Sequence, residues 1–215
     1  CTAEAMVDAL GAFLGQYQSH PGVASARAWL DANTELRQSV AGRLTEPLPG
    51  RPPSFCIGCP ERPVFSALKL AQQEVGPVHI AADIGCHAFG TFEPFSSGHS
   101  ILGYGMSLAS RAGVSPMMSR RVLSIMGDGG FWHNGLLTGV QSALFNQDDA
   151  VLLIFKNGYT SATGTQEIIS TPDEDARANA PDKQQSLAHK NQTIEQTLRG
   201  MGVGWMRTVH TYRVD

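Results

Sequence analysis

The feature that most restricts the fold is an alternation of short apolar runs with amphipathic helical patterns over residues 56–215. The runs "PVHIAADIG", "RRVLSIMGDGG" and "AVLLIFKNG" have the length of buried strands, and each ends in a glycine-containing turn. Helical patterns lie around them in "RPVFSALKLAQQEV", "SILGYGMSLASRAGV" and "FWHNGLLTGVQSALFNQ", and "TIEQTLRGMGVGWMRTV" predicts a further helix and strand. Strands that alternate with helices favour a parallel sheet. We therefore predict an α/β fold in which a parallel sheet carries helices on both faces.

Two further regions precede this α/β domain. Residues 1–45 contain two helical patterns, in which apolar residues such as Met6 and Leu10 recur at intervals of four. Residues 46–55 lie in the stretch "GRLTEPLPGRPPSF", whose four prolines predict an extended linker. The polar segment "STPDEDARANAPDKQQSLAHKNQ" predicts a solvated loop. We expect the chain to be a fragment of a larger polypeptide, with the domain at 56–215 truncated at its C-terminal end.

Composition limits the partners that this chain can have. Of its 215 residues 42% are hydrophobic and 16% are charged, and the formal net charge is −3, which is typical of a well-buried α/β domain. The 16 basic residues are scattered, so the sequence predicts no nucleic-acid partner. No apolar stretch approaches the roughly 18 residues of a transmembrane helix, and no signal-peptide pattern is visible. We expect a cytoplasmic protein without a membrane partner.

Two polar residues follow neighbouring strands where the apolar runs end. Asp128 stands among Gly127, Gly129 and Gly130 directly before a helix, and Asn157 follows the next run 29 positions later. Because parallel strands joined by a right-handed crossover have their carboxyl ends at one edge of the sheet, we expect these side chains to meet. Their oxygens suit Mg²⁺, while the glycines and the helix N-terminus suit a phosphate. The pattern predicts an Mg²⁺-bridged diphosphate; the alternative is a plain turn in which Asp128 only caps the helix.

Three of the four cysteines lie close together in sequence. Cys56 and Cys59 form a CxxC pair, Cys86 follows after 26 intervening residues, and Cys1 stands apart. A CxxC pair alone is compatible with half of a zinc site, with a redox pair or with two small core residues. Three thiols around one helix and one strand favour a soft-metal site, and the residues leave zinc and iron–sulfur open.

Other polar residues are predicted near the same edge of the sheet. His133 lies on the first helical turn after the glycine loop and is our candidate catalytic residue, with a solvent-facing histidine as the alternative. The segment "SSGHSILGYG", which contains Gly98 and His99, precedes a predicted helix. It offers further N–H groups to a diphosphate, unless its serines only cap that helix.

The segments "CIGCPERP", "DIGCHAFG", "GDGGFWHNG" and "KNGYTSATG" together resemble, in the family's order, the indolepyruvate branch of the 2-oxoacid:ferredoxin oxidoreductases. The resemblance covers about residues 51–212. The GDG that is followed after 26 residues by "KN" is similar to the thiamine diphosphate signature, although Lys156 replaces the first residue of the usual Asn pair. The resemblance implies the pyrophosphate-binding module of thiamine diphosphate enzymes. It implies Mg²⁺ ligation by Asp128, Asn157 and the Tyr159 main-chain carbonyl, and contacts of Gly129 and Gly130 with the diphosphate. With the residues predicted from the sequence pattern, our candidate cofactor contacts are Gly98, His99, Gly127, Asp128, Gly129, Gly130, Asn157, Tyr159 and Thr160.

The same resemblance implies an iron–sulfur cluster and a set of partners. Cys56, Cys59 and Cys86 stand where the family has three ligands of a [4Fe–4S] cluster, and the family's fourth cysteine lies downstream of this sequence. The implied reaction is oxidative decarboxylation of an aryl 2-oxoacid such as indolepyruvate to an acyl-CoA, with electrons passing through the cluster to ferredoxin. A pyrimidine-binding module on another segment or subunit would complete the cofactor site, so we expect a homo- or hetero-oligomer.

Two other functions are compatible with these residues. One is a non-oxidative thiamine diphosphate-dependent 2-oxoacid decarboxylase or lyase, in which the cysteines would be ordinary core residues. The other is a non-catalytic metal-binding assembly module that keeps the fold. Removal of Cys56 and Cys59 would separate the first alternative from the oxidoreductase, and removal of the Asp128 carboxylate would test the second.

Overall fold

The chain divides into two units in a computed structural model, Cys1–Pro52 and Pro53–Asp215. The structure describes residues 3–16, 21–44, 46, 50, 52–171 and 193–212. Cys1 and most of the predicted polar loop (residues 172–192) lie outside the described residues. Each unit is considered by itself below.

The first unit consists of two helices, α1 (Ala3–Gly15) and α2 (Pro21–Ala41), which contact each other. The prediction of a helical N-terminal segment is therefore confirmed. No residue of α2 is buried, and its large apolar side chains Trp29 and Leu36 are exposed. In the described part of the chain, no helix has the length and hydropathy needed to cross a membrane.

The second unit alternates strands and helices as the apolar pattern predicts. The longest helix of this unit, α5, covers residues 128–145 and widens to π-helical geometry over Phe131–Val140. Short 3₁₀ helices lie at Cys86–Thr91 and Ser115–Met117. The remaining elements are α3 (Glu61–Val75), β1 (Ile80–Ala82), β2 (Ser100–Ile101), α4 (Ser107–Val114), β3 (Leu123–Gly127), β4 (Val151–Phe155), β5 (Tyr159–Thr160), β6 (Gln166–Glu167) and α6 (Ile194–Gly200).

Four of the strands form one parallel sheet in the order β2-β1-β3-β4. Ile80 pairs with Leu123, and Gly127 pairs with Phe155. The carboxyl ends of β3 and β4 therefore lie side by side, each followed by a polar loop. The two short strands β5 and β6 form a separate antiparallel pair beyond the end of β4. The predicted parallel sheet is confirmed.

Successive residues of β3 bury side chains on opposite faces of the sheet, as the period of two in a strand requires. Ile125 packs with Phe55, Phe65 and Ile80, so α3 and the segment before it cover one face. Met126 packs on the other face against residues of α4, α5 and α6, namely Leu108, Phe131, Val140, Ile194 and Leu198. The prediction of helices on both faces is therefore confirmed, and apolar burial on both sides fixes the position of β3.

Two predicted elements differ from the structure. The predicted helix "SILGYGMSLASRAGV" begins as β2, because Ser100 pairs with Ala81, and turns helical only at Ser107. The strand predicted after α6 does not form within residues 201–212. That segment instead packs Val203 and Met206 against the apolar face of α4, α5 and α6.

Candidate functional site

A cavity of about 570 Å³ opens at the carboxyl ends of the parallel strands. The turn after β3 (residues 127–130) and the loop after β4 (residues 157–163) form much of its wall, and residues 84–87 after β1 complete it. This is the edge at which open α/β sheets bind ligands. The structure thus brings the predicted diphosphate residues of these two turns and one predicted cluster cysteine, Cys86, to one cavity.

Asp128 joins the two strand ends through its carboxylate. Its Oδ2 accepts hydrogen bonds from the main-chain N–H groups of Asn157 at 2.9 Å and Gly158 at 2.7 Å, and its Oδ1 accepts one from Gly129 at 2.9 Å. The N-cap position of α5 is Gly127, so Asp128 is the first helical residue and not its cap. A carboxylate offers about four acceptor positions. Three are filled here, which leaves room for a cation.

The charges around Asp128 also favour a cation. Its side chain is buried, and burial raises the pKa of this carboxyl while the three N–H bonds lower it. Glu61, on the same cavity wall, is buried as well, and burial together with the Asp128 charge raises the pKa of Glu61 to about 7. Glu61 Oε2 has no hydrogen-bond partner among the described residues. An anionic diphosphate can approach these carboxylates only with a counter-cation, which fits Mg²⁺.

The loop after β4 is held by short-range contacts of Asn157. Its Oδ1 accepts a hydrogen bond from the Tyr159 N–H at 3.1 Å, and its Nδ2 donates to Ser161 Oγ at 3.4 Å. Lys156, where the thiamine signature has its first Asn, does not line the cavity. Lys156 Nζ instead lies 2.8 Å from Glu195 Oε1 on α6. The departure from the family pattern therefore leaves the oxygen donors of Asp128 and Asn157 unchanged.

The glycines of the turn after β3 face different neighbours. A Cβ atom at Gly129 would lie 2.4 Å from both Tyr104 Oη and Thr160 Oγ1, and both of these residues line the cavity. A Cβ atom at Gly130 would lie 2.6 Å from Asp83 Oδ2. The absence of a side chain at Gly129 therefore allows these two hydroxyl groups to lie close to the turn on the cavity side. At Gly130 it leaves room for the Asp83 carboxylate on the protein side.

Asp83 is fully buried at the end of β1. Its two carboxylate oxygens accept hydrogen bonds from the Gly105 N–H at 2.7 and 2.9 Å, and Oδ1 also accepts one from the Ile84 N–H at 2.8 Å. Burial raises the pKa of Asp83 to about 6, against the lowering effect of these bonds. Asp83 thus fastens the loop between β2 and α4 behind the turn that contains Gly130.

The three predicted cluster cysteines lie near one another. Cys56 is exposed, whereas Cys59 and Cys86 are half-buried. Burial raises the pKa of Cys59, and the charges of Glu61, Cys86 and Cys56 raise it further, so the other two thiols lie within electrostatic reach. Within the described ranges no three His, Cys, Asp or Glu side chains are grouped closely enough to hold a metal ion. The donor set has the chemistry of an iron–sulfur or zinc site, with fewer ligands than either needs.

The remaining predicted residues divide between the cavity and the opposite end of the sheet. His133 is exposed on the cavity wall, with its ring 5.0 Å from that of Tyr104. Gly98 and His99 do not line the cavity, because they precede β2 and so lie at the amino end of a parallel strand. His99 Nδ1 there accepts a hydrogen bond from the Ile80 N–H at 2.9 Å.

Three polar residues of this region escaped the sequence analysis, Glu61, Asp83 and Tyr104, whereas His87 was expected near this edge of the sheet together with His99 and His133. Asp83 ends an apolar run as Asp128 does, so the same signal would have found it. Tyr104 follows β2, and its place would have been visible had Ser100–Ile101 been identified as a strand. His87 is buried and stacks on Phe155 at 5.9 Å, and burial lowers its pKa to about 4.

Comparison with known proteins gives a consistent result. The family described as thiamine pyrophosphate enzyme, C-terminal TPP binding domain, matches residues 83–214. Similar curated proteins include the indolepyruvate oxidoreductase subunit IorA of Methanothermobacter thermautotrophicus, which is 29% identical over 193 residues. The subunit IorA of Methanothermobacter marburgensis is 30% identical over 185 residues, and that of Archaeoglobus fulgidus is 30% identical over 172 residues.

The matches cover most of this chain but only a small part of each relative. They include 83%, 84% and 80% of this chain, but only 30%, 28% and 26% of the respective relatives. The chain thus spans less than a third of the length of the curated relatives that it matches.

Proposed function

This chain belongs to the thiamine pyrophosphate enzyme family, whose C-terminal TPP-binding domain it carries, and from that premise we propose that it forms the Mg²⁺- and thiamine diphosphate-binding part of an oxidoreductase. The proposed enzyme oxidatively decarboxylates an aryl 2-oxoacid to an acyl-CoA and passes the electrons through an iron–sulfur cluster to ferredoxin. The names of the similar proteins support indolepyruvate as the type of substrate. The observation that carries the proposal is the Asp128 carboxylate, which bonds the backbone after β4 and retains a free acceptor position.

In this proposal Asp128, Asn157 and the Tyr159 carbonyl hold Mg²⁺. Residues 127–130 and Thr160 lie against the diphosphate, at the N-terminus of α5 where backbone N–H groups and the helix dipole favour an anion. When bound, thiamine diphosphate would supply the electron sink for decarboxylation. The chain's own contribution is to fix the charged end of the cofactor at the sheet edge.

The pattern of the cysteines in the sequence supports an iron–sulfur cluster beside that site, although the three thiols would have to move closer together to bind it. Cys56, Cys59 and Cys86 would supply three ligands, with the fourth outside this set. Cys86 Sγ lies 3.4 Å from Ser161 Oγ, and Ser161 also accepts the bond from Asn157, so the two proposed sites share a wall. Unpaired cysteines are typical of a reducing compartment, which supports the cytoplasm as the location.

The apolar part of the cavity lining suits an aromatic substrate. Ile84, Trp132 and Phe155 give it apolar surface, which excludes water and accommodates an aryl ring. His133 also lines the cavity, and we propose it as the residue that exchanges a proton with the substrate. Coenzyme A, ferredoxin and a pyrimidine-binding module on another segment or subunit are the proposed partners.

The test compares wild type with Asp128→Ala in the assembled enzyme, purified without oxygen. Bound thiamine diphosphate, magnesium, iron and sulfide are measured in each. We expect stoichiometric cofactor in the wild type and loss of thiamine diphosphate and magnesium, but not of iron, in the variant. Asp149→Ala is the matched control, because Asp149 is an exposed carboxylate that pairs with the exposed Arg121. Iron or zinc without thiamine diphosphate in the wild type would contradict the proposal.

A further inference from the structure

We propose that the Tyr104 hydroxyl binds the cofactor by donating a hydrogen bond to its diphosphate, directly above Gly129. The inference rests on the proposed function and adds a residue that the sequence motifs do not contain. It comes from the neighbours of Gly129. Oη of Tyr104 and Oγ1 of Thr160 both lie 2.4 Å from the position of a Cβ atom there, so two hydroxyl groups converge over the first turn of α5.

The hydrogen-bond inventory of these two hydroxyls leaves one proton available. Tyr104 Oη and Thr160 Oγ1 are 3.3 Å apart and share one hydrogen bond, which uses one O–H group as donor. In the arrangement that we propose, Thr160 Oγ1 donates to Tyr104 Oη, so the Tyr104 O–H is the group that has no acceptor among the described residues. Phosphate oxygens accept hydrogen bonds and cannot donate them when ionised. A diphosphate at the N-terminus of α5 would therefore satisfy the remaining donor.

The loop that carries Tyr104 is built to hold this hydroxyl in place. Gly105, its neighbour, has φ of +77° and donates its N–H to both oxygens of the buried Asp83. A Cβ atom at Gly105 would lie 2.4 Å from the Gly130 carbonyl oxygen, so the loop packs tightly on α5. The Tyr104 ring also lies 5.0 Å from that of His133. A donor fixed before the ligand arrives loses little entropy on binding.

The rival explanation is that the Tyr104 hydroxyl only ties its loop to Thr160. That role predicts an effect on stability and none on cofactor affinity. Tyr104→Phe separates the two, because it removes one oxygen and keeps the ring against His133. Tyr212→Phe is the matched control: the Tyr212 hydroxyl donates to the Gly58 carbonyl, and Tyr212 does not line the cavity.

The experiment measures the Kd of thiamine diphosphate at saturating Mg²⁺ in the assembled enzyme, together with Tm. The inhibition constant of magnesium diphosphate, used as a competitor without the thiamine part, is measured in the same proteins. A hydrogen bond to a charged group contributes about 1.5–3 kcal/mol, so both constants should rise about 10- to 100-fold in Tyr104→Phe. They should stay unchanged in Tyr212→Phe.

Three results would overturn the inference. An unchanged Kd in Tyr104→Phe, with or without a lower Tm, would leave only the structural role. A raised Kd for thiamine diphosphate with an unchanged constant for magnesium diphosphate would place the contact on another part of the cofactor. Failure of the wild type to bind either compound would instead remove the proposed function itself, on which the inference rests.

Discussion

Asp83 Oδ2 lies 2.6 Å from where a Cβ atom at Gly130 would stand, although the two residues belong to different strand-to-helix connections. The second glycine after Asp128 is therefore required by a buried carboxylate behind the turn. The turn is supported from the sheet side by Asp83 and faces the cavity with Gly129. Its shape is fixed before any ligand binds.

Replacement of Gly130 by Ala should destabilise the protein. The new methyl group would meet the fully buried carboxylate of Asp83. Because main-chain N–H groups hold that carboxylate in place, it cannot easily move away. We expect a loss of about 1–3 kcal/mol in the free energy of unfolding, measured by denaturant titration. Gly113→Ala is the control, because no atom of the described residues, apart from the helix's own backbone and the two neighbouring residues, lies within 4 Å of a Cβ atom at this position of α4. The Gly113 variant should be neutral or slightly stabilised, and equal losses at both positions would contradict the explanation.

Stability should carry a pH dependence that comes from Asp83. Burial raises its pKa from 3.8 to about 6, so between these values the folded protein binds this proton more tightly than the unfolded chain. The stabilisation that protonated Asp83 gives to the folded state is complete below about pH 4 and is lost as pH rises through about 6. Its full size is about 3 kcal/mol.

Asp83→Asn isolates this contribution. His87 acts in the opposite direction, since its pKa is lowered to about 4 and protonation of the unfolded chain destabilises the fold as pH falls below 6.5. That effect is present in both proteins and cancels in the comparison. We expect the difference in unfolding free energy, wild type minus Asp83→Asn, to decrease between pH 4 and pH 6.5. A constant difference over this range would show that Asp83 does not titrate there.

Lys156 should be dispensable for cofactor binding. Its ammonium group pairs with Glu195 at the partly exposed surface, where such pairs contribute about 0–1 kcal/mol. Lys156→Asn, which restores the Asn pair of the thiamine signature, should change the Kd of thiamine diphosphate by less than about threefold and lower stability by less than about 1 kcal/mol. Asn157→Ala provides the contrast and should lose Mg²⁺-dependent binding. Equal losses in the two variants would mean that Lys156 acts at the site.

The cysteines should be separable from the thiamine site. Cys56→Ser and Cys59→Ser are expected to lose iron and sulfide while they retain thiamine diphosphate, and Cys1→Ser serves as the control. In metal-free protein, iodoacetamide should modify Cys59 more slowly than Cys56, because Cys59 is half-buried and its thiol pKa is raised by that burial. Mass spectrometry after timed labelling measures both rates. Full decarboxylase activity in either serine variant, with no electron transfer to ferredoxin in variant or wild type, would favour the non-oxidative alternative.

The sequence was sufficient to predict the meeting of Asp128 with the chain at Asn157, because two apolar strands around one helix leave a single arrangement of their ends. The sequence was insufficient to predict where Tyr104 and His99 lie, and the reason is the same for both residues. The two-residue strand β2 is too short to have a period, so the segment was interpreted as helix and the two ends of that strand were not distinguished. Glu61 was missed because its burial depends on how α3 packs, which no local pattern encodes.

Ser161 contacts Cys86 on one side and Asn157 on the other. Under the proposed assignment, a single side chain spans the boundary between the diphosphate site and the nearest cluster ligand. The residues that would hold the diphosphate and the nearest thiol ligand therefore belong to one folded unit, and the spacing between them is set by that unit. A different pyrimidine-binding partner would then change the substrate and leave the spacing between the diphosphate residues and Cys86 unchanged.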